Sequence, residues 1–217
     1  MSGVRALVLD CDGVILDTNH AKVEAFRETA REFRVPEDTV THFIEWQSAN
    51  FGTSRFAAFE KLSQGDFGPA PKTEVELLAQ SFAEKVDAIY DRAIETEGLR
   101  HFLLGAADTP KFVASGSEQL QLRRAFRTRG LEGLFNGIFG SPTKKANILA
   151  NIVESLPFRA VETLMIGDAH ADADAAQNAG ARFIFMNQYS LVQDTMLERA
   201  KAEPFPVIRN LAELTLI

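Results

Sequence analysis

The sequence predicts an α/β protein built on a parallel β-sheet, with an all-helical segment inserted after the first strand. Three observations carry this expectation. The 217-residue chain begins with a short apolar run, Val4-Arg5-Ala6-Leu7-Val8-Leu9, that stops at Asp10-Cys11-Asp12-Gly13, the pattern of a buried parallel strand. From about Thr18 to Ile94, apolar residues recur at helical spacing alone. After Gly98, short apolar runs alternate with amphipathic ones, which implies parallel strands joined by right-handed crossovers. The insertion therefore interrupts one core.

In the helical segment, Val23, Phe26, Ala30 and Phe33 form the inward face of a helix over 20–34. Pro36-Glu37-Asp38 starts the next, through Val40, Phe43, Ile44 and Trp46. Ser54 is placed to cap a third, which ends at Gln64-Gly65. Val75, Leu78, Phe82, Val86, Ile89 and Ala93 predict a long amphipathic helix over 72–94. Beyond Gly98 a short helix over 99–104 precedes expected strands at 111–114, 137–140, 163–166, 182–186 and 206–208. Helices are expected between them over 120–126, 145–153 and 171–179.

With 46% hydrophobic and 24% charged residues the composition is that of a soluble globular enzyme. The net charge of −7, with no basic stretch to offset it, argues against nucleic-acid or membrane-surface binding. No apolar run reaches membrane-spanning length. The first apolar run is short and contains Arg5, so no secretory signal is expected. The single cysteine, Cys11, forms no internal disulfide, which fits a cytoplasmic location. In extended chain it points away from the face carrying Asp10 and Asp12, as a small buried apolar group.

In open α/β sheets ligands bind beyond the carboxyl ends of strands, and four strand ends here carry polar signals. Asp10 and Asp12, two residues apart, face one side of an extended chain, and their mutual repulsion invites a cation or a retained proton. Ser115-Gly116-Ser117 joins hydroxyls, a glycine and a helix start, where free N–H groups favour an anion such as phosphate. Lys144 and Lys145 stand just before a helix, placed to balance carboxylates and a phosphate. Asp168 ends a strand and Asp172 begins the following helix; with Asp10 and Asp12 they offer the hard oxygen ligands that Mg²⁺ prefers. In the helical segment, Arg55, behind Gly52, is placed to meet an anionic or hydroxyl-rich part of a substrate. Asn19 and Lys22 are placed to line the entrance.

The motifs Asp10-Cys11-Asp12-Gly13-Val14, Ser115-Gly116-Ser117, a lysine near 145, and Gly167-Asp168 with Asp172 resemble, in order and spacing, those of the haloacid dehalogenase superfamily and its Mg²⁺-dependent phosphatases. The resemblance implies a Rossmann-like, three-layer α/β/α core at 1–17 and 93–217, with residues 18–92 as an inserted α-helical cap. It implies that Asp10 is the nucleophile and Asp12 the general acid and base. Mg²⁺ would be held by the Asp10 side chain, the Asp12 carbonyl and Asp168, supported by Asp172. Ser115 and the Gly116 N–H would hold phosphoryl oxygens, with Lys145, or alternatively Lys144, as the motif lysine. Asp12 points to phosphate-ester chemistry on a small phosphorylated metabolite, by a monomer or weak homodimer. A phosphomutase of the β-phosphoglucomutase type and a non-catalytic phospho-ligand module are the alternative outcomes.

Overall fold

The computed structural model describes residues 3–214, so residues 1–2 and 215–217 of the expected core lie outside the described residues. The chain opens with β1 (Ala6–Leu9) and a short β2 (Leu16–Asp17). Four helices follow, α1 (Asn19–Glu32), α2 (Glu37–Ala49), α3 (Arg55–Gln64) and α4 (Val75–Arg92). The chain returns through β3 (Ile94–Glu95) and α5 (Leu99–Gly105) to β4 (Lys111–Glu118), α6 (Gln119–Thr128) and β5 (Gly137–Ser141). Then come α7 (Lys145–Ser155), β6 (Thr163–Gly167), α8 (His170–Ala179), β7 (Arg182–Met186), α9 (Gln193–Ala202) and β8 (Val207–Ile208).

The six-stranded sheet has the order β5-β4-β1-β6-β7-β8, and all of its pairings are parallel. After β1 the chain builds outward through β4 and β5, then crosses back to place β6 on the other side of β1. The order reverses at β1, and a crevice opens there at the carboxyl edge. β1 is buried on both faces: Leu7 and Leu9 pack in one cluster with Phe102, Leu122 and Phe126, from α5 and α6. Val8 packs on the opposite side with Ile148, Leu149 and Ala175, from α7 and α8. This is the three-layer arrangement expected.

The helical segment stands between β2 and β3, which pair antiparallel as a two-stranded ribbon. Helix boundaries follow local chemistry. Pro36 precedes α2, the Ser54 hydroxyl accepts a hydrogen bond from Ala57 N (3.3 Å) at the start of α3, and Gly65 ends α3 in the left-handed conformation, φ 84°. The helices close on an aromatic cluster in which Phe26 stacks on Phe82 (centroids 4.0 Å apart) and meets Phe43 edge-on at 5.8 Å.

Several elements depart from the sequence-based expectation, the short β2 among them. Ile94 lies in β3, outside α4, because pairing with β2 takes over at the end of the helix. β4 continues through Ser115-Gly116-Ser117 to Glu118. α9 has no counterpart in the pattern, since Met196 is its one buried residue and it carries no apolar stripe.

Truncating Phe26 to alanine removes its three ring contacts, with Phe43, Phe59 and Phe82, from the centre of the helical segment. We expect a loss of about 3–5 kcal/mol in equilibrium urea denaturation.

Candidate active site

The site is assembled where β1 ends. Leu9 pairs with Val113 of β4 and Ile166 of β6, so the residues that follow these three emerge together at the carboxyl edge. Asp10, still tied to the sheet through its N–H to Ile166 O (3.0 Å), directs its carboxylate into the crevice. There Oδ1 accepts from Cys11 N (2.7 Å) and Oδ2 lies 2.9 Å from Lys145 Nζ. Lys145, at the first position of α7, also reaches Asp172 Oδ1 (2.6 Å). The other oxygen of Asp172 accepts from Asp168 N and Ala169 N (3.2 and 3.1 Å), closing the turn from β6 into α8. Gly167 is required here, because a Cβ would run into the Asp172 side chain.

Asp10, Asp168 and Asp172 are buried and each bring a carboxylate oxygen within 4.8 Å of the others. Burial raises the Asp10 carboxyl to about 7, against the attraction of Lys145, with the charges of Asp172 and Asp12 adding to the rise. Burial, and then the charges of Asp10 and Asp172, push Asp168 well above the usual carboxylate range. Burial alone would lower Lys145; the two carboxylates beside it outweigh that and raise it. Asp168 Oδ2 accepts from Asn19 Nδ2 (2.6 Å), while Asp168 Oδ1 is buried without a hydrogen-bond partner. An unpartnered buried carboxylate oxygen among hard oxygen donors fits a divalent cation such as Mg²⁺. The Asp172 oxygens are both engaged, so it supports this cluster through Lys145 and the loop N–H groups.

Asp12 occupies the same cleft with different partners. Its Oδ1 accepts from the Thr18 hydroxyl (2.6 Å), and its Oδ2 from Lys22 Nζ (2.7 Å) and the Ser117 hydroxyl (2.9 Å). Lys22 also donates to Tyr90 Oη (2.8 Å) and Ser117 Oγ (2.7 Å). Burial alone would raise Asp12; the Lys22 charge and the donors Lys22, Thr18 and Ser117 together lower it. The side chain of Asp12 is therefore outside the three-carboxylate cluster.

Other expected residues fall in unexpected places. Lys22 and Asn19 are both buried: Lys22 lines the cleft and sits on Asp12, whereas Asn19 is off the cleft lining, on Asp168 and Tyr189 O (2.8 Å). Lys144 is exposed and precedes α7, whereas Lys145 is in contact with the carboxylates. Ser115 is buried and its hydroxyl accepts from Ser117 N (3.1 Å). The helix start beyond it offers no free anion site, since Glu118 accepts from Leu120 N and Gln121 N, both at 2.9 Å. Gly116 is packed so closely that a Cβ would strike Gly52 O of the helical segment. Arg55 lines the cleft, with Nη1 donating to Gln121 Oε1 (2.8 Å) and Nε without a partner. Ser117, Thr18 and Tyr90 also contact Asp12, and nothing local in the sequence marks Thr18 or Tyr90 for this. Ser117 alone had a local signal, its place in Ser115-Gly116-Ser117.

Comparison with known proteins identifies the family and the fold. The haloacid dehalogenase-like hydrolase family model matches residues 7–186. The chain belongs to this family. Among solved structures, this hydrolase is similar to CbbY from Rhodobacter sphaeroides in complex with phosphate, with TM-score 0.74 and 17% identity over 97% of this chain and 96% of that one. It is similar to β-phosphoglucomutase from Clostridium difficile, with TM-score 0.75 and 19% identity over 98% and 94% of the two chains. The HAD-hydrolase YfnB from Bacillus subtilis, bound to magnesium, gives TM-score 0.68 and 22% identity over 97% and 96%. At such identities the likeness is one of fold. No curated protein matches the sequence. Among the described residues, no helix of the hydrolase is long and apolar enough to cross a membrane.

Two substitutions probe the carboxylate cluster. Lys145→Met leaves Asp10 and Asp172 facing each other without their shared cation. A loss of about 3–5 kcal/mol is expected in chemical denaturation of the metal-free protein. Gly13 has φ 81°, and a Cβ there would overlap Asp168 Oδ2 and Asn19 Nδ2. Gly13→Ala should cost at least about 1–2 kcal/mol, seen as a lower Tm.

Proposed function

We propose that this hydrolase is a Mg²⁺-dependent phosphomonoesterase acting on a small phosphorylated metabolite through an aspartyl-phosphate at Asp10. The observation that carries this reading is the Asp10 carboxylate, buried at the end of the central strand beside Lys145 and within the Asp168–Asp172 cluster. The phosphate bound to CbbY and the magnesium bound to YfnB support it. Asp10 and Asp168, with the Asp12 carbonyl, would hold the Mg²⁺, which when bound neutralises charge on the transferring phosphoryl group.

In the first step an Asp10 oxygen attacks phosphorus and the ester P–O bond breaks, with Asp12 giving its proton to the departing oxygen. In the second, Asp12 takes a proton from water, whose oxygen attacks the same phosphorus and frees Asp10. The bonds from Lys22, Thr18 and Ser117 favour the carboxylate that this second step requires. A phosphoryl dianion arriving beside Asp12 raises its proton affinity and supplies the acid form that the first step requires. Lys145 and the Ser115-Gly116 segment hold phosphoryl oxygens.

Residues 18–92 act as a cap, with the β2–β3 ribbon as its hinge. The cleft beneath it retains about 40 Å³, space for little more than water, so substrate enters with the cap open. Arg55 faces that cleft and would meet a distal anionic group. This is consistent with a further structure of CbbY, a mutant holding xylulose-(1,5)bisphosphate. The closed cleft also suits a phosphomutase, which must exclude water while phosphate returns to a sugar.

Phosphate release from 4-nitrophenyl phosphate and a panel of phosphorylated metabolites tests the reading. Wild type is expected to release phosphate only with Mg²⁺, and Asp10→Asn to be inactive while keeping the wild-type circular dichroism spectrum. Substantial release by Asp10→Asn removes Asp10 as nucleophile. Isomerisation of a sugar phosphate without phosphate release selects the mutase.

A further inference from the structure

Gln47 lies two residues before the end of α2, and only 1% of its surface is exposed. It lines the same cleft as Asp10 and Asp12, among Phe26, Phe51, Phe82 and Val86. Its Oε1 is buried and has no hydrogen-bond partner. A buried amide oxygen without a partner forfeits its hydration with nothing in return, whereas an apolar side chain of similar size in the same aromatic wall would not. The neighbouring polar groups do not relieve it. The Gln121 amide donates to Ala83 O and Asp87 Oδ1 and accepts from Arg55, and Lys22 is engaged by Asp12, Tyr90 and Ser117. Gln47 is thus a polar group held ready on the cap wall of a closed cleft.

We propose that Gln47 is a specificity-determining residue that recognises a hydroxyl on the organic part of the substrate, and that the substrate is a hydroxylated phosphate monoester, a phosphorylated sugar or polyol. This rests on the phosphomonoesterase reading and deepens it. A hydroxyl both donates and accepts, so it satisfies the amide in either orientation. Around that one polar contact the wall offers aromatic and aliphatic carbon, which suits the C–H face of a sugar. A two-carbon phospho-acid carries no hydroxyl for Gln47 and would leave the amide unpaired. The preference is therefore set by the cap, at a distance from the phosphoryl chemistry.

The test compares wild type with Gln47→Leu, and with Gln47→Met as a second variant of similar length. kcat/KM is measured for pentose and hexose monophosphates, each beside its deoxy analogues, and for phosphoglycolate and 4-nitrophenyl phosphate. Wild type should prefer the hydroxylated member of at least one pair by about tenfold, the value of one hydrogen bond, and the variants should lose that preference. Without substrate, the variants should melt no lower than wild type, because they remove an unpaired buried amide. Equal preference in wild type and variants overturns the proposal, as does a lowered Tm with a uniform loss on every ester. Turnover of 4-nitrophenyl phosphate with no hydroxyl preference defeats Gln47 alone, whereas no phosphate release from any ester defeats the phosphomonoesterase reading and Gln47 with it.

Discussion

The structure is organised around buried charge. Asp10, Asp12, Asp168 and Asp172 meet at one sheet edge and, among the described residues, only Lys22 and Lys145 are in contact to balance them. Withdrawing an ion from water costs several kcal/mol even after the protein relaxes, so this concentration persists only where geometry compensates nearly every oxygen. The compensation is visible atom by atom. Backbone N–H groups serve Asp10 and Asp172, an amide serves Asp168, and three hydroxyls and an ammonium serve Asp12. The one oxygen left over, Asp168 Oδ1, faces this excess of negative charge. Gly13 and Gly167 follow from the same crowding, since the loops must approach the carboxylates more closely than a Cβ allows.

The carboxylates divide into two groups with different owners. Asp10, Asp168 and Asp172 are held by the parallel sheet, its following helices and Lys145, with Asn19 at the start of α1 as the one contribution from the inserted segment. Asp12 is surrounded largely by that segment: Lys22 comes from α1 and Tyr90 from α4, meeting Ser117 of β4. Docking of the helices and the environment of Asp12 are therefore one event. The same closure packs Gly52 against Gly116 and carries Gln47 and Arg55 to the cleft wall. At the base of the segment, Arg129 donates to Tyr90 O (2.9 Å) and Ala93 O (2.6 Å), securing the end of α4 to the core where β3 begins.

Much of this was legible before folding was considered. The motifs at Asp10, Lys145 and Asp168 each sit at a strand end or helix start, where local chemistry marks the boundary, and the parallel sheet follows from apolar runs alternating with helical ones. Expectations departed from the structure where local chemistry supports more than one outcome. Ser115-Gly116-Ser117 has the composition of a helix cap, yet pairing with β5 extends the strand and Glu118 caps the helix instead. The β2–β3 ribbon is two residues long on each side, too short for any periodicity. Lys22 and Asn19, on a helix with exposed neighbours, gave no sign that they are buried against residues of the core.

The sequence by itself determined the fold class, the position of the helical insertion and the carboxylates at the strand ends. These depend on side-chain periodicity and on residues that terminate regular structure, both local properties of the chain. The tertiary structure decided which partners each charge has. It chose Lys145 over Lys144, placed Lys22 on Asp12 and Asn19 on Asp168, and left Gln47 unpaired in the cleft. Those outcomes depend on contacts between residues as much as 149 positions apart. Such contacts arise only when the helical segment packs against the sheet, because Coulomb and hydrogen-bond energies act over a few ångströms of space and not along the chain.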